Sequence, residues 1–327
     1  MDAPGDSAPN APSSPAPSPE RRRTLVRVIG VALVGLVVVA SFGAKALLAP
    51  APRESSAPGA PSRIVSLAPS ITEILFALGV GDRVVGVTRF CDHPAEVTAI
   101  AKVGGYHDPS YEAIVGLRAD LVVLLREHER PRAYLGELGI ETLSVGNATT
   151  DDILDSIMTV GRRTGAEARA RELVEDIRAR LARVQERTRD LGRSRVLVSV
   201  GRSMGSGSLK DVYVAGRGTL YDEAILLAGG ENACSVGGAT YPKLSAEGVL
   251  RIDPDVIVDL AADVKTAGLT EEQVIADWRS IPGARAVREG RVHVISEVYA
   301  VRPGPRFVSL VEDLARILHP GVDWGRE

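Results

Sequence analysis

At 327 residues, 45% of them hydrophobic, the chain can bury the cores of about two ordinary domains. Its 39 basic and 42 acidic residues give a formal charge of -3 and are mixed along most of the sequence. No cationic stripe is left to neutralise a run of phosphates, which argues against nucleic acid as a partner.

In chain order, residues 1–23 read as a disordered tail on the cytoplasmic side. The first 19 are largely Pro, Ala and Ser, which cannot bury enough apolar surface to offset the entropy of ordering. Residues 24–49 read as a transmembrane anchor or signal segment. Residues 28–44 are uncharged and apolar, and with Ala46, Leu47 and Leu48 they approach the ~20 residues that cross a bilayer, Lys45 snorkelling at the far end. Arg21, Arg22, Arg23 and Arg27 precede this run, which orients the N-terminus inward and exports the rest. The resulting expectation is a single-pass inner-membrane protein with its bulk on the periplasmic side. The competing reading is a cleaved signal, since Ala44-Lys45-Ala46 fits a small-x-small site and would leave a periplasmic protein. No Cys follows the apolar run to carry a lipid anchor. Residues 50–62, again rich in Pro, Ala and Ser, read as a linker.

From Arg63 onward short β-branched runs alternate with helical patterns, the signature of an α/β fold with helix-covered parallel sheets. Strands are expected over residues 64–67, 84–87, 121–125 and 142–145, with a helix over 111–117. Ser70-Ile71-Thr72-Glu73 matches a capping box and predicts a helix that starts there and ends near Gly79. These elements make a first lobe, 63–164. In residues 166–191, Ala170, Leu173, Val174, Ile177, Leu181 and Val184 recur at helical spacing among Arg and Glu, which predicts one rigid helix of about 38 Å. It forms an interlobe segment, 165–191. Strands at 196–200, 256–260 and 292–295, with a helix at 219–227, then build a second lobe, 192–327.

The two lobes share an internal repeat. Ser110-x-Glu112-x-Ile114-Val115-x-Leu117-x-Ala119-Asp120-x-Val122-Val123 recurs as Ser245-x-Glu247-x-Val249-Leu250-x-Ile252-x-Pro254-Asp255-x-Ile257-Val258, with identical spacing 135 residues on. A single Ser-x-Glu is an ordinary helix start, the Ser capping and the acid complementing the dipole. The same carboxylate at the same place in both lobes suits docking onto a two-fold symmetric partner.

Residues 63–318 resemble the class III periplasmic binding proteins of the vitamin B12 and ferric-siderophore type. The resemblance rests on Arg63-Ile64-Val65-Ser66-Leu67-Ala68-Pro69-Ser70-Ile71-Thr72-Glu73, Val87-Thr88-Arg89-Phe90-Cys91-Asp92-His93-Pro94, Val103-Gly104-Gly105-Tyr106, Gly229-Gly230-Glu231-Asn232 and the repeated segments. It implies two similar lobes joined by one long helix. It implies partners as well: an ABC permease dimer with its ATPase, docked by Glu112 and Glu247. The implied cargo is a metal chelate, a cobalt corrinoid first, with haem or a ferric siderophore as alternatives, and no resident cofactor. The cargo would be held by Phe90, Tyr106 and Tyr241, completed by Tyr299 and Arg302, with Arg306 as an alternative to Arg302. Haem binders of this fold place a tyrosine ligand whose register falls here on Gly105, which disfavours haem.

Other signals are weaker. Gly216-Arg217-Gly218 lacks the third glycine of a dinucleotide fingerprint, Tyr221 taking its place. His93, His107, His128, His293 and His319 show no metal-binding spacing, and Cys91 and Cys234 read as unpaired small hydrophobes. Asp92-His93-Pro94 reads as turn chemistry. No nucleophile stands beside a base, so catalysis is not expected. A membrane-anchored sensor or assembly module on the same fold is the second function class, separated from import by whether permease and ATPase genes adjoin this one.

Overall fold

The computed structural model describes residues 59–234 and 237–325. The tail and membrane segment expected over residues 1–49, and the linker up to residue 58, lie outside the described residues. Among the described residues no helix is long and apolar enough to cross a membrane.

The first sheet comprises β1 (Ile64–Ser66), β2 (Val84–Val87), β3 (Ala101–Lys102), β4 (Leu121–Leu125) and β5 (Thr142–Val145), in the order β3-β2-β1-β4-β5. Every pair is parallel. Leu121-Val122-Val123-Leu124-Leu125 is buried along its whole length, as a parallel strand covered on both faces requires. Alternate residues serve opposite faces. Ile64, Leu121 and Val123 join α1 (Pro69–Ala77) and the next two long helices in the main core. Val65, Val122 and Leu124 pack with Ile114 of α2 (Tyr111–Gly116) and Leu135 of α3 (Glu129–Glu137).

The connection to the second sheet is a pair of helices, α4 (Thr150–Thr164) and α5 (Glu167–Thr188). Thr149 caps α4 by accepting from the Asp152 amide, and Gly165, at φ 77°, reverses the chain between them. The 22 residues of α5 span about 33 Å, and its buried positions, Ala170, Val174, Ile177, Leu181 and Val184, form the expected stripe.

The second sheet comprises β6 (Arg195–Gly201), β7 (Val212–Val214), β8 (Glu231–Asn232), β9 (Lys243–Leu244), β10 (Val256–Leu260) and β11 (Val292–Ile295). The order is β11-β10-β6-β7-β9, with β8 also on β6. Its helices are α6 (Leu220–Leu227), α7 (Ala246–Ile252), α8 (Glu271–Trp278), α9 (Arg285–Arg288) and α10 (Phe307–Leu318). The parallel sheet expected here holds for β8, β6, β10 and β11, whereas β7 runs antiparallel to both β6 and β9. A short loop without a crossover helix joins β6 to β7, and such a link returns the chain antiparallel.

One further expectation is corrected. The helix α1 starts at Pro69, with Ala68 as an N-cap that makes no side-chain bond, so Ser70 and Glu73 lie inside the helix and form no capping box. Proline at the first helical position sets φ and lacks only an amide that would be orphaned there.

The repeat is borne in the backbone. From α2 to β4 and from α7 to β10 the elements keep the 135-residue offset. Ser110 Oγ accepts from the Ala113 amide and Ser245 Oγ from the Gly248 amide, each at 3.2 Å. The matched residues Arg118 (φ 50°) and Asp253 (φ 46°) both enter the left-handed region just before the strand.

Candidate functional site

In parallel α/β sheets the loops leaving the carboxyl ends of the strands border a crevice. Here all five strands of the first sheet feed one. Ala68, Pro69 and Ser70 follow β1, Phe90 follows β2, Tyr106 follows β3, Leu125 ends β4 and Asn147 follows β5. Val301, Arg302 and Pro303, in the loop after β11, face them from the second half, and the cleft between has a volume of about 410 Å³. That is the size range of small-molecule sites.

Phe90 is 50% exposed, with the Arg89 guanidinium carbon 5.6 Å from its ring centroid. Tyr106 is fixed from behind. Its hydroxyl donates to Glu127 Oε1 at 2.6 Å, and its ring meets His107 and His128 edge-on at 4.6 and 4.5 Å. Burial and the Glu127 carboxylate push the Tyr106 hydroxyl well above its ordinary pKa, so it stays a neutral donor. His128 is only 3% exposed, and burial lowers its pKa. Its Nδ1 accepts from the Leu125 amide at 3.4 Å, which places the proton on Nε2, a buried atom without a partner.

Arg302 lines the cleft and reaches across it to Asp92, with Nη1 bonded to Oδ1 and Nη2 to Oδ2 at 2.8 Å. The Arg302 hydrogen bond holds the Asp92 carboxyl below its usual range despite partial burial. Arg306 makes a second bidentate pair, with Glu73 of α1 at 2.7 and 2.8 Å, beside an adjoining cavity of about 360 Å³. The Glu73 partner raises the Arg306 pKa further. Arg306 is therefore a tie between the halves, and Arg302 is the arginine at the cleft. Cys91, between Phe90 and Asp92, is turned into the core, its Sγ 3.2 Å from Thr72 Oγ1 and 3.1 Å from Thr88 Oγ1.

Two expected site residues are placed elsewhere. The Tyr299 hydroxyl bonds Asp313 on α10 and its ring lies beneath the Arg306 guanidinium at 5.8 Å, so it faces the helix and does not line the cleft. Tyr241 is exposed, stands edge-on to Tyr221 at 6.3 Å and is also absent from the lining. Asn147 and Ser70 are lining residues that sequence reasoning passed over, although both follow an expected strand directly. Glu112 and Glu247 are exposed in the first turns of α2 and α7. Among the described residues no three His, Cys, Asp or Glu are grouped to hold a metal ion.

Residues 64–299 match the family described as periplasmic binding protein. The chain belongs to this family. An uncharacterized ABC transporter substrate-binding lipoprotein of Bacillus subtilis, YvrC, is 31% identical to this periplasmic binding protein over 268 residues, 80% of this chain and 81% of the relative. A cobalamin-binding protein of Halobacterium salinarum is 31% identical over 268 residues, 79% of this chain and 70% of the relative. Among solved structures, the apo periplasmic heme-binding protein RhuT from Roseiflexus sp. RS-1 matches with a TM-score of 0.68 at 27% identity, over 79% of this chain and 98% of that one. Each of the three is named for binding or substrate binding, none for catalysis.

Proposed function

We propose that this periplasmic binding protein captures a corrinoid such as vitamin B12 outside the cytoplasm and delivers it to an ABC importer. The observation that carries the reading is the cleft, where Phe90 and Tyr106 offer ring surface from one half and Val301, Arg302 and Pro303 close from the other. Flat rings against a macrocycle give large apolar contact at low entropy cost. The resemblance of the chain to cobalamin-binding relatives supports the same cargo. Gly105 supports it against haem, because a glycine carries no side chain to ligate iron in that register.

Glu112 and Glu247, matched in position and exposure, dock the loaded protein on the permease dimer. The segment at residues 24–49 keeps the binding unit at the outer face of the membrane. The test is calorimetric titration of the detergent-solubilised full chain with cobalamin. Affinity is expected to be micromolar or tighter, and Phe90→Ala is expected to weaken it about tenfold, ~1.4 kcal/mol. Isotherms without binding to any corrinoid would remove the reading, and tight binding of haem alone would replace it.

A further inference from the structure

Among the described residues Arg302 is the one charged side chain lining the cleft. Its guanidinium is already engaged, both Nη atoms donating to the Asp92 carboxylate across the gap. Fork-to-fork geometry makes such pairs strong and directional. The neighbouring arginines are paired as well: Arg89, beside Phe90, with Asp108 at 2.7 Å, Arg126, beside Leu125, with Asp152 at 2.5 Å, and Arg306 with Glu73 at 2.7 Å. Four arginines thus meet four carboxylates, and Glu127, whose carboxylate takes the Tyr106 hydroxyl, adds a further acid. The lining that remains is apolar or neutral, with Ser70, Asn147 and Tyr106 as its polar groups.

We infer that the Asp92–Arg302 pair selects cargo with an uncharged, amide-bearing edge over cargo with free carboxylates, by occupying the one cation an anionic edge would meet. The inference rests on the cleft being the site of a bulky flat chelate. A ligand carboxylate arriving at Arg302 must displace Asp92 and leave that carboxylate without its partner next to a second negative charge. An amide edge asks for no such exchange, since it bonds Ser70, Asn147 or the outer lone pairs of Asp92 as a neutral group. Discrimination therefore comes from repulsion built into the site, in addition to whatever contacts the favoured cargo makes.

The experiment uses the full chain, wild type, Asp92→Asn and Arg302→Gln, with two matched ligand pairs. One pair is cobyrinic acid and its heptaamide, the same corrin ring with carboxylates or amides. The other is haem and haem dimethyl ester. The readout is the affinity ratio within each pair. Wild type is expected to favour the neutral member by about tenfold or more. Asp92→Asn, which frees the Arg302 charge, is expected to shift the ratio about tenfold toward the carboxylate member, and Arg302→Gln to shift it the opposite way. A ratio that moves less than about twofold in both variants, or a wild type that prefers carboxylates, overturns the inference. Should Asp92→Asn fail to fold, Arg302→Gln decides alone. If only porphyrins bind, the corrinoid reading falls and the porphyrin pair judges the charge selection. If none of the four ligands binds, both fall.

Discussion

The Arg202 side chain has no exposed surface and meets two buried carboxylates. Nε donates to Asp259 on β10 at 2.8 Å, Nη1 to Asp277 on α8 at 2.7 Å, and Nη2 to the Val274 carbonyl at 2.9 Å. Asp277 also accepts from the Gly205 and Gly207 amides at 2.7 and 2.6 Å, and Trp278 Nε1 donates to Asp259 at 2.8 Å. One arginine therefore fastens a strand, a helix and the loop after β6. Replacing it by Met leaves two buried carboxylates without their cation, and removing one partner of such a group costs about 3–5 kcal/mol. Urea denaturation of Arg202→Met should show that loss at pH 7, and a deficit below about 1 kcal/mol would mean the network is not a stabilising element. The pH dependence has a definite sign. Burial pushes the Asp277 carboxyl up, but hydrogen bonds from Arg202 and the two glycine amides outweigh it and leave the pKa lowered. A carboxyl depressed in the folded state contributes fully above the unfolded value near pH 4 and loses that contribution as pH falls through the folded one. In Arg202→Met the Asp277 carboxylate stays buried without its cation and gains by protonation, so the deficit against wild type is expected to narrow as pH falls toward and below about 4.

At the scale of elements, the reversal at Gly165 folds α4 back on α5, and the crossing depends on small residues. A Cβ on Gly161 would lie 2.4 Å from the Ala170 Cβ, closer than two methyl groups can approach. Gly161→Ala should therefore force the helices apart at a cost of about 1–3 kcal/mol, and adding Ala170→Gly should restore most of it. Thermal melting of the single and double variants checks this, and an unshifted midpoint in the single variant would mean that the crossing is loose. This pair of helices also marks the limit of what the sequence revealed. Strands β2, β4, β5, β10 and β11 are legible because short β-branched apolar runs between polar turns have few other uses, and α5 because its stripe repeats over six turns. The helix α4 carries equally clear punctuation, Thr149 before Asp151 and Asp152 and Gly165 after Arg162 and Arg163, but its apolar positions are interrupted by Gly161 and make a shorter stripe than that of α5. Ser70 and Glu73 misled because a capping-box spelling inside a helix looks the same as one at its start, and the Glu73 carboxylate belongs to Arg306, 233 residues away. The cleft follows the same division. Phe90 and Tyr106 stand beside strand ends that local pattern locates, whereas the engagement of Arg302 by Asp92 joins residues 210 apart and leaves no local trace. The removal of Tyr299 by Asp313 is equally invisible, because it depends on how α10 packs.

At the scale of the whole molecule, the main core runs without a break from Leu121 and Val123 of the first sheet through Ile177 and Leu181 of α5 to Val198 and Val258 of the second, with Leu314 of α10. The Thr150 amide ties α4 to Glu223 of the second half at 2.7 Å, and Arg180 fastens the connecting helix α5 to Glu312 of α10 at 2.7 Å. A shared core of this kind permits small hinge movements and resists wide opening. The matched glutamates Glu112 and Glu247 are then held at a nearly fixed separation. In each half the carboxylate has an exposed apolar companion one turn on, Val115 (49% exposed) after Glu112 and Leu250 (38% exposed) after Glu247. Residues three apart on a helix share a face, so each half presents the same acidic and apolar pair. Single exposed apolar residues are ordinary, but an exposed aliphatic side chain at the same repeat position in both halves fits a partner with two equivalent receptor patches. The double variant Glu112→Ala/Glu247→Ala should bind cargo within about twofold of wild type, since neither side chain lines the cleft, while losing about a hundredfold in permease affinity. Adding salt should weaken the wild-type complex and barely affect the double variant, because exposed ion pairs are screened within about 8 Å at physiological ionic strength. Val115→Ser/Leu250→Ser should lower permease affinity as well, but with the salt sensitivity retained, because no charge changes, which separates the charged and apolar parts of the contact. Unchanged uptake in cells carrying the double glutamate variant would mean that the permease meets another surface.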